Sequence, residues 1–316
     1  MELSHLNQID FDELRLEKID CMIVTAGTQP RCHFLAEKLH RSVLNKILLT
    51  SSKEDPKKSS QKYLPVFTEF GFKTCEVSSD ELLDIAKLLN EVCNCRSHQI
   101  NVIIDYSCMP KKWYALFIDC LTRNTYLAER INLFLSYTPK IFERNAGKHA
   151  IQSIGPIVFN RDNLKDKKPV SLIAALDNNH NSVLEAIKKI KPQKLLAFVP
   201  HCTHDPEYAK LVLDNNKTIL EKLDKNNIIS YNADRPEEIN TLLTSHCLNE
   251  RIASEVMIIP QGPKTFSMMS MLLSVRYPDV KLWEVIIKDP KTSPEHGQPV
   301  ANPIIVKVSF ISDELD

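Results

Sequence analysis

One pattern occurs twice in this chain and limits what the chain can fold into. Residues 102–112 read VIIDYSCMPKK, and residues 256–264 read VMIIPQGPK. Each segment starts with a run of β-branched and other apolar residues, passes through a polar turn, and reaches a proline followed by lysine. The apolar run predicts a buried strand, and the proline is typical of the first turn of a helix. The chain therefore contains two similar strand–turn–helix segments.

The same alternation of strand and helix runs through the rest of the sequence. In the first half, strands are predicted at residues 21–26, 46–50, 72–77, 101–105 and 131–137. In the second half, the pattern starts again, with strands predicted at residues 170–176, 194–199, 228–231, 255–259 and 280–287. Short apolar strands that alternate with helices predict parallel sheets covered on both faces. We therefore predict an α/β fold.

The two halves agree in element type, order and spacing. Corresponding strands begin about 150 residues apart, which indicates an internal duplication. The sequence thus predicts two tandem Rossmann-like units with mainly parallel sheets, covering residues 1–137 and 170–316. Residues 138–169, rich in Pro, Gly and charge, are predicted to connect them. The alternating segment 302–311 is expected to add an edge strand to the second unit.

Composition excludes several classes of protein. Forty lysines and arginines balance forty aspartates and glutamates, so the net charge does not indicate nucleic acid or an anionic membrane as a partner. The sequence lacks a secretory signal pattern and any apolar run near the roughly 18 residues that span a bilayer, which predicts a cytoplasmic protein. Nine scattered cysteines predict reduced thiols. Only six glycines occur, without a Gly-rich dinucleotide or P-loop motif, and no cofactor is predicted.

Ligands are expected beyond the carboxyl ends of the strands, where helix N-termini converge in open parallel sheets. Hydroxyl and amide groups there can bond to sugars or bases, and lysine or arginine can meet phosphates. The candidate ligand-binding residues are Thr25, Gly27, Thr28, Arg31, Ser107 and Lys111 in the first half, and Asn179, Gly262 and Lys264 in the second. The alternative is that the polar residues of these loops only cap helices.

Two of these turns resemble motifs of a known family. The segment Thr25-Ala-Gly-Thr-Gln-Pro30 resembles the Gly-Thr-Ser-Pro-type turn of CRISPR-associated Rossmann fold (CARF) domains. The segment Gln261-Gly-Pro-Lys264 resembles their Gly-x-Lys-type motif after the fourth strand, and residues 107–111 are a looser copy. The Gly-Thr turn occurs only in the first half, and the Gly-Pro-Lys motif only in the second. The resemblance extends to the related SAVED domains, which fuse two such units in one chain.

The resemblance implies a function. CARF domains sense cyclic oligonucleotides, usually as dimers, so it implies a nucleotide-derived ligand, for example a cyclic oligonucleotide, and a homodimer. It further implies a sensor or adaptor of a prokaryotic antiphage defence system that regulates an effector protein in trans or belongs to a larger protein complex. One alternative is an enzyme that cleaves a nucleotide or cyclic oligonucleotide in the same pocket. The other is a structural subunit of a defence complex without a ligand.

Other reactive residues do not form a complete set in the sequence. Cys108 precedes a helix, where a thiolate would be stabilised, but no base can be assigned to it. His201, His204 and Asp205 could offer metal ligands, but neighbours on one loop need distant partners to close a tetrahedral site, and the sequence identifies none. We therefore predict neither a catalytic residue nor a metal, and the enzyme alternative stays open.

Overall fold

The computed structural model describes residues 2–51, 62–78, 80–94, 98–142, 150–157, 168–287 and 298–311. The chain divides into two units, each with its own sheet. The first unit comprises Met1–Ile141 and Ser293–Asp316, and the second comprises Phe142–Thr292. Seven strands form the first sheet and six form the second within these described ranges. The predicted α/β class with two mainly parallel sheets is confirmed.

The first unit alternates strands and helices in the predicted order. Its elements are β1 (Glu2–Ile9), α1 (Phe11–Leu16), β2 (Cys21–Thr25), α2 (Phe34–Leu39), β3 (Asn45–Ser51), α3 (Leu64–Glu69), β4 (Lys73–Val77), α4 (Glu81–Asn94), β5 (Ile100–Asp105), α5 (Lys111–Arg123), α6 (Thr125–Arg130), β6 (Ile131–Tyr137) and, from the end of the chain, β13 (Ile304–Ile311). The sheet order is β1-β13-β6-β5-β2-β3-β4. The strands from β6 to β4 are parallel, and β13 and β1 continue the sheet antiparallel.

The second unit repeats this plan. Its elements are β7 (Ile151–Pro156), β8 (Val170–Ala175), α7 (His180–Ile190), β9 (Lys194–His201), α8 (Pro206–Asn215), α9 (Lys217–Leu220), β10 (Ile228–Asn232), α10 (Pro236–Arg251), β11 (Glu255–Ile259), α11 (Lys264–Arg276) and β12 (Lys281–Ile287). The sheet order is β10-β9-β8-β11-β12-β7. All neighbours are parallel except β7, which pairs antiparallel with β12.

The five parallel strands have the same spatial order in both units. Numbered within a unit, that order is third, second, first, fourth, fifth, which is Rossmann-like. The order reverses between the first and fourth strands, β2 and β5 in the first unit and β8 and β11 in the second. Loops that leave these two strands diverge to opposite sides of the sheet, and the crevice between them is where ligands bind in this architecture.

Helices α5 and α11, which follow the two similar sequence segments, correspond closely. Each is 13 residues long, begins with lysine and ends with arginine, and each has a proline at its N-cap. Proline fits there because its fixed φ suits the chain entering a helix and its missing N–H costs no helical hydrogen bond. Residues 265–275 of α11 are all buried, including Met268, Met269 and Met271, so these methionines pack in the core.

The end of the chain lies elsewhere than the sequence analysis placed it. Strand β13 belongs to the first unit and lies between β6 and β1, whereas segment 302–311 was expected at an edge of the second unit. The alternation of apolar and polar residues in this segment predicts a strand, but the alternation does not show which sheet the strand joins. In the first unit β13 covers the side of β6 that would otherwise be an open edge.

Residues 138–169 are not solely a connector. They contain β7, and this strand joins the sheet of the second unit. Residues 143–149 and 158–167 of this segment lie outside the described ranges. Every cysteine that the structure describes is a free thiol. No helix in the described ranges is long and apolar enough to cross a membrane.

Candidate functional site

The loops after β2 and β5 approach each other closely and form what we call the first switch site. A Cβ atom on Gly27 would lie 2.6 Å from Cβ and 2.9 Å from Sγ of Cys108. Any side chain at Gly27 would therefore push the two loops apart. This close packing is enough to explain why residue 27 is glycine, whether or not a ligand binds here. Cys108 is partly buried against this glycine.

A hydrogen-bond network fixes the loop after β5. Asp105 Oδ1 accepts hydrogen bonds from the Ser107 backbone N–H, at 2.9 Å, and from the Ser107 hydroxyl. The Ser107 Oγ in turn accepts from the Thr138 backbone N–H at 2.7 Å. Ser107 is fully buried, so its hydroxyl joins two strand ends. This internal role competes with the ligand-binding role predicted for it.

Arg31 is also turned into the protein. It is only 4% exposed, and its Nε donates to Gln29 Oε1 at 3.0 Å while its Nη1 donates to the Thr138 carbonyl at 2.9 Å. Its guanidinium also lies over the Tyr137 ring. Burial by itself would lower the pKa of Arg31, but the electrostatic influence of Tyr137, Cys108 and Asp105 raises it. Arg31 thus places a permanent charge beneath the first switch site.

The loops after β8 and β11 form the second switch site. Gly262 has φ of +74°, and a Cβ atom there would lie 2.8 Å from the Leu176 carbonyl oxygen. Only glycine combines that backbone conformation with that approach. In both units, therefore, a glycine allows the two loops of the switch site to touch. In the first unit this glycine lies in the loop after β2, and in the second it lies in the loop after β11. Gln261, next to Gly262, is buried, and its Nε2 donates to the Val285 carbonyl at 3.4 Å.

Buried polar groups without a protein partner gather at the second switch site. Asn179 is the N-cap residue of α7, yet its side chain makes no capping bond, and its buried Nδ2 has no hydrogen-bond partner. The hydroxyls of Ser182 and Tyr231 are likewise buried and without a partner. The Tyr231 hydroxyl lies 3.8 Å from the position of a Cβ on Gly262. Because unpaired buried polar groups are costly, these atoms mark a place suited to a polar ligand.

The first switch site has three such atoms as well. The Thr25 hydroxyl at the end of β2 is buried without a partner, as are the hydroxyls of Ser136 and Thr138 at the end of β6. Thr28 is partly buried in the loop after β2. The structure thus brings Thr25, Gly27 and Thr28 together on one loop.

The two predicted lysines occupy equivalent places. Lys111 and Lys264 are the first residues of α5 and α11, and both are partly exposed. A cation in the first turn is disfavoured by the helix dipole, and an anion bound at the same helix end would remove that conflict. Neither helix has an acidic residue in its first turn.

One cluster was missed by the sequence analysis. Cys202, His204 and Asp234 each offer a ligand atom, and these atoms all lie within 4.8 Å of one another. Cys202 and His204 lie in the loop after β9, whereas Asp234 lies in the loop after β10. The sequence shows His204 but gives no sign that a residue 30 positions later lies beside it. Only the pairing of β9 with β10 reveals it.

A surface cleft of about 240 Å³ lies away from all these residues. It is at the opposite end of the first sheet, since Ile19 and Ser42, which precede β2 and β3, line it. Two of its three cationic residues, Arg15 and Lys38, lie over the ring of Phe11. The cleft therefore does not contribute to either switch site.

Comparison with known proteins provides no family. No family model matches the chain, and no curated protein matches it. Among solved structures, the chain is similar to the cytoplasmic domain of a prokaryotic cation chloride cotransporter, with 8% sequence identity and a TM-score of 0.26. That match covers 88% of this chain and 98% of the other. We draw nothing about function from a likeness at that score.

Gly262 provides a direct test of the second switch site. We expect Gly262→Ala to lower the free energy of unfolding of the second unit by about 2 kcal/mol, because alanine is strained at positive φ and its Cβ would press on the Leu176 carbonyl. Urea unfolding followed by the fluorescence of Trp283, in a Trp113→Phe background, measures this. Gly155→Ala is the matched control, since a Cβ there meets nothing within 4 Å. Equal effects of the two substitutions would contradict this view of Gly262.

Proposed function

We propose that this protein binds a nucleotide-derived ligand at the second switch site. The observation that carries the proposal is the set of buried, unpartnered polar atoms of Asn179, Ser182 and Tyr231 beside a helix that begins with Lys264. The helix N-terminus and the lysine suit a phosphate, and the amide and hydroxyl groups suit a sugar or base edge.

The resemblance to CARF and SAVED domains supports a more specific proposal. Those domains sense cyclic oligonucleotides, and the Gln261–Lys264 motif that resembles theirs lies at the second switch site. We therefore propose a sensor or adaptor in prokaryotic antiphage defence that responds to a cyclic oligonucleotide and regulates an effector protein in trans. The first switch site would contribute less, because Ser107 and Arg31 are already engaged within the protein.

A thermal-shift screen tests the proposal. The probes are mononucleotides, dinucleotides and cyclic oligonucleotides of two to six nucleotides. A ligand at about 100 times its Kd stabilises the folded state by roughly 2.7 kcal/mol, which is readily seen as a rise in Tm. Lys264→Ala should reduce the shift. Lys222→Ala removes the same charge from an exposed position outside both sites and should leave the shift unchanged.

The outcomes separate the candidate functions. A rise in Tm that Lys264→Ala weakens and Lys222→Ala does not supports binding at the second switch site. Chromatographic turnover of the bound probe would favour the enzyme that cleaves such a ligand. Absence of a shift with every probe would contradict the proposal and leave a structural subunit as the better account.

A further inference from the structure

A second cluster of chemically active side chains lies at the carboxyl edge of the second sheet. His201 ends β9 and pairs with Asn232, which ends β10, so the loops after these strands leave the sheet side by side. The first loop carries Cys202 and His204, and the second carries Asp234. The topology thus brings together a thiol, an imidazole and a carboxylate from two loops.

Hydrogen bonds hold the cluster in place. Asp234 Oδ2 accepts from the Thr203 backbone N–H at 2.6 Å, which ties the two loops together. Asp234 Oδ1 lies 3.0 Å from His204 Nδ1. The Asp234 backbone N–H donates to Asn232 Oδ1 at 2.9 Å, so the loop that carries the carboxylate is also fixed from within.

We propose that Cys202, His204 and Asp234 form a binding site for a zinc ion. Sulfur, nitrogen and oxygen ligands are the set that zinc takes in proteins. Zinc bonds of about 2.0 to 2.2 Å in tetrahedral geometry place nitrogen and oxygen ligands about 3.3 Å apart, close to the separation of His204 Nδ1 and Asp234 Oδ1. The softer thiol ligand disfavours magnesium and calcium, which prefer oxygen alone.

Carboxylates lie near the buried thiol of this cluster, and a divalent cation would neutralise their negative charge. Cys202 is buried, and its sulfur lies within 4.8 Å of a carboxylate oxygen of Asp234. Asp205 is nearly fully buried, and its Oδ2 accepts from the Phe142 backbone N–H at 2.9 Å, so it stays near the cluster. When zinc binds, the thiol of Cys202 loses its proton to solvent and the zinc–sulfur bond forms. The oxidation state of the zinc ion does not change.

Three protein ligands leave one coordination position open. Structural zinc sites have four protein ligands, whereas sites with three keep a position for water or a substrate oxygen. The fourth position would therefore take a water molecule or an oxygen of an anionic ligand. The three ligands are not among the residues proposed to bind the nucleotide, and the inference does not rest on that proposal.

Metal titration of the untagged full-length protein tests the inference. After treatment with a chelator, the protein is titrated with Zn²⁺ and, separately, with Co²⁺, whose spectrum reports a bound thiolate and tetrahedral geometry. We expect about one ion per chain and a thiolate-to-cobalt absorption band. Cys202→Ser should abolish that band, and His204→Gln and Asp234→Asn should each weaken Zn²⁺ binding at least about 100-fold, since loss of an outer-shell partner alone costs 10–100-fold.

Matched controls come from the same unit. Cys247→Ser removes another buried thiol, and His201→Gln removes the neighbouring exposed histidine. Both should bind Zn²⁺ and Co²⁺ as the wild type does, and circular dichroism checks that every variant is folded. Failure of the wild type to bind either ion, or equal binding by Cys202→Ser and Cys247→Ser, would overturn the inference.

Discussion

A chain that ends at Asn302 is expected to lose the folded first unit and to keep the second. The truncation removes β13, whose Ile304, Ile305, Val306, Val308 and Phe310 are all buried. At about 2 kcal/mol for each buried apolar side chain, the loss is roughly 10 kcal/mol, comparable with the whole stability of a domain. Strand β1 would also lose its partner, and β6 would become an open edge.

Each unit contains one of the two tryptophans, so the two can be followed separately. Trp113 lies in α5 of the first unit, and Trp283 lies in β12 of the second. In the truncated chain, Trp113 should fluoresce as if exposed to water while Trp283 still shows a cooperative urea transition. Two point substitutions in β13 test the same assignment without truncation. Val308→Asp places a charge at a buried position and should destabilise the first unit strongly, whereas the adjacent Ser309→Asp should destabilise it only slightly. Loss of the second unit instead would contradict the assignment of β13.

Arg31→Met should lower the free energy of unfolding of the first unit by about 3 kcal/mol. The substitution keeps much of the volume, but it leaves the Thr138 carbonyl without the donor from Arg31 and removes the cation that acts on the buried Asp105. Breaking a buried electrostatic interaction from one side is costly because the remaining charge stays buried.

Urea unfolding in a Trp283→Phe background, which leaves Trp113 as the reporter of the first unit, measures the effect of Arg31→Met. Arg41→Met removes an equal charge from an exposed position of the same unit and should change the free energy of unfolding by less than about 0.5 kcal/mol. If both substitutions have small effects, Arg31 is not the buried anchor described above, and its predicted role toward a ligand regains weight.

Much of the fold could be predicted because its signals are local. The apolar runs gave the parallel strands, and their repetition indicated two similar units, as the sheet orders now show. The placement of β13 could not be predicted, because its hydrophobic alternation suits any open sheet edge. Strand β1 pairs with β13 across almost the whole length of the chain, and such distant pairing leaves no mark in a single sequence.

The site residues divide in a similar way. The predicted site residues lie in loops that follow the strands or at the ends of the strands and helices beside those loops, but the direction of each side chain depends on contacts that the sequence does not show. Ser107 and Arg31 both form hydrogen bonds with the backbone of Thr138, a residue far away in sequence. Asp234 was missed because its nearness to His204 depends on the pairing of two strands. Gly262 was predicted to bind a ligand, and its positive φ gives a structural reason for glycine at this position.

Calorimetric titration of a probe that raises Tm tests the central claim most directly, by comparing Lys264→Ala with Lys111→Ala. These lysines hold equivalent positions in the two units, so each substitution is the control for the other. If the second switch site binds the ligand, Lys264→Ala should weaken binding at least about tenfold, a loss of 1.4 kcal/mol, while Lys111→Ala stays close to the wild type. Unchanged affinity in Lys264→Ala would contradict the claim.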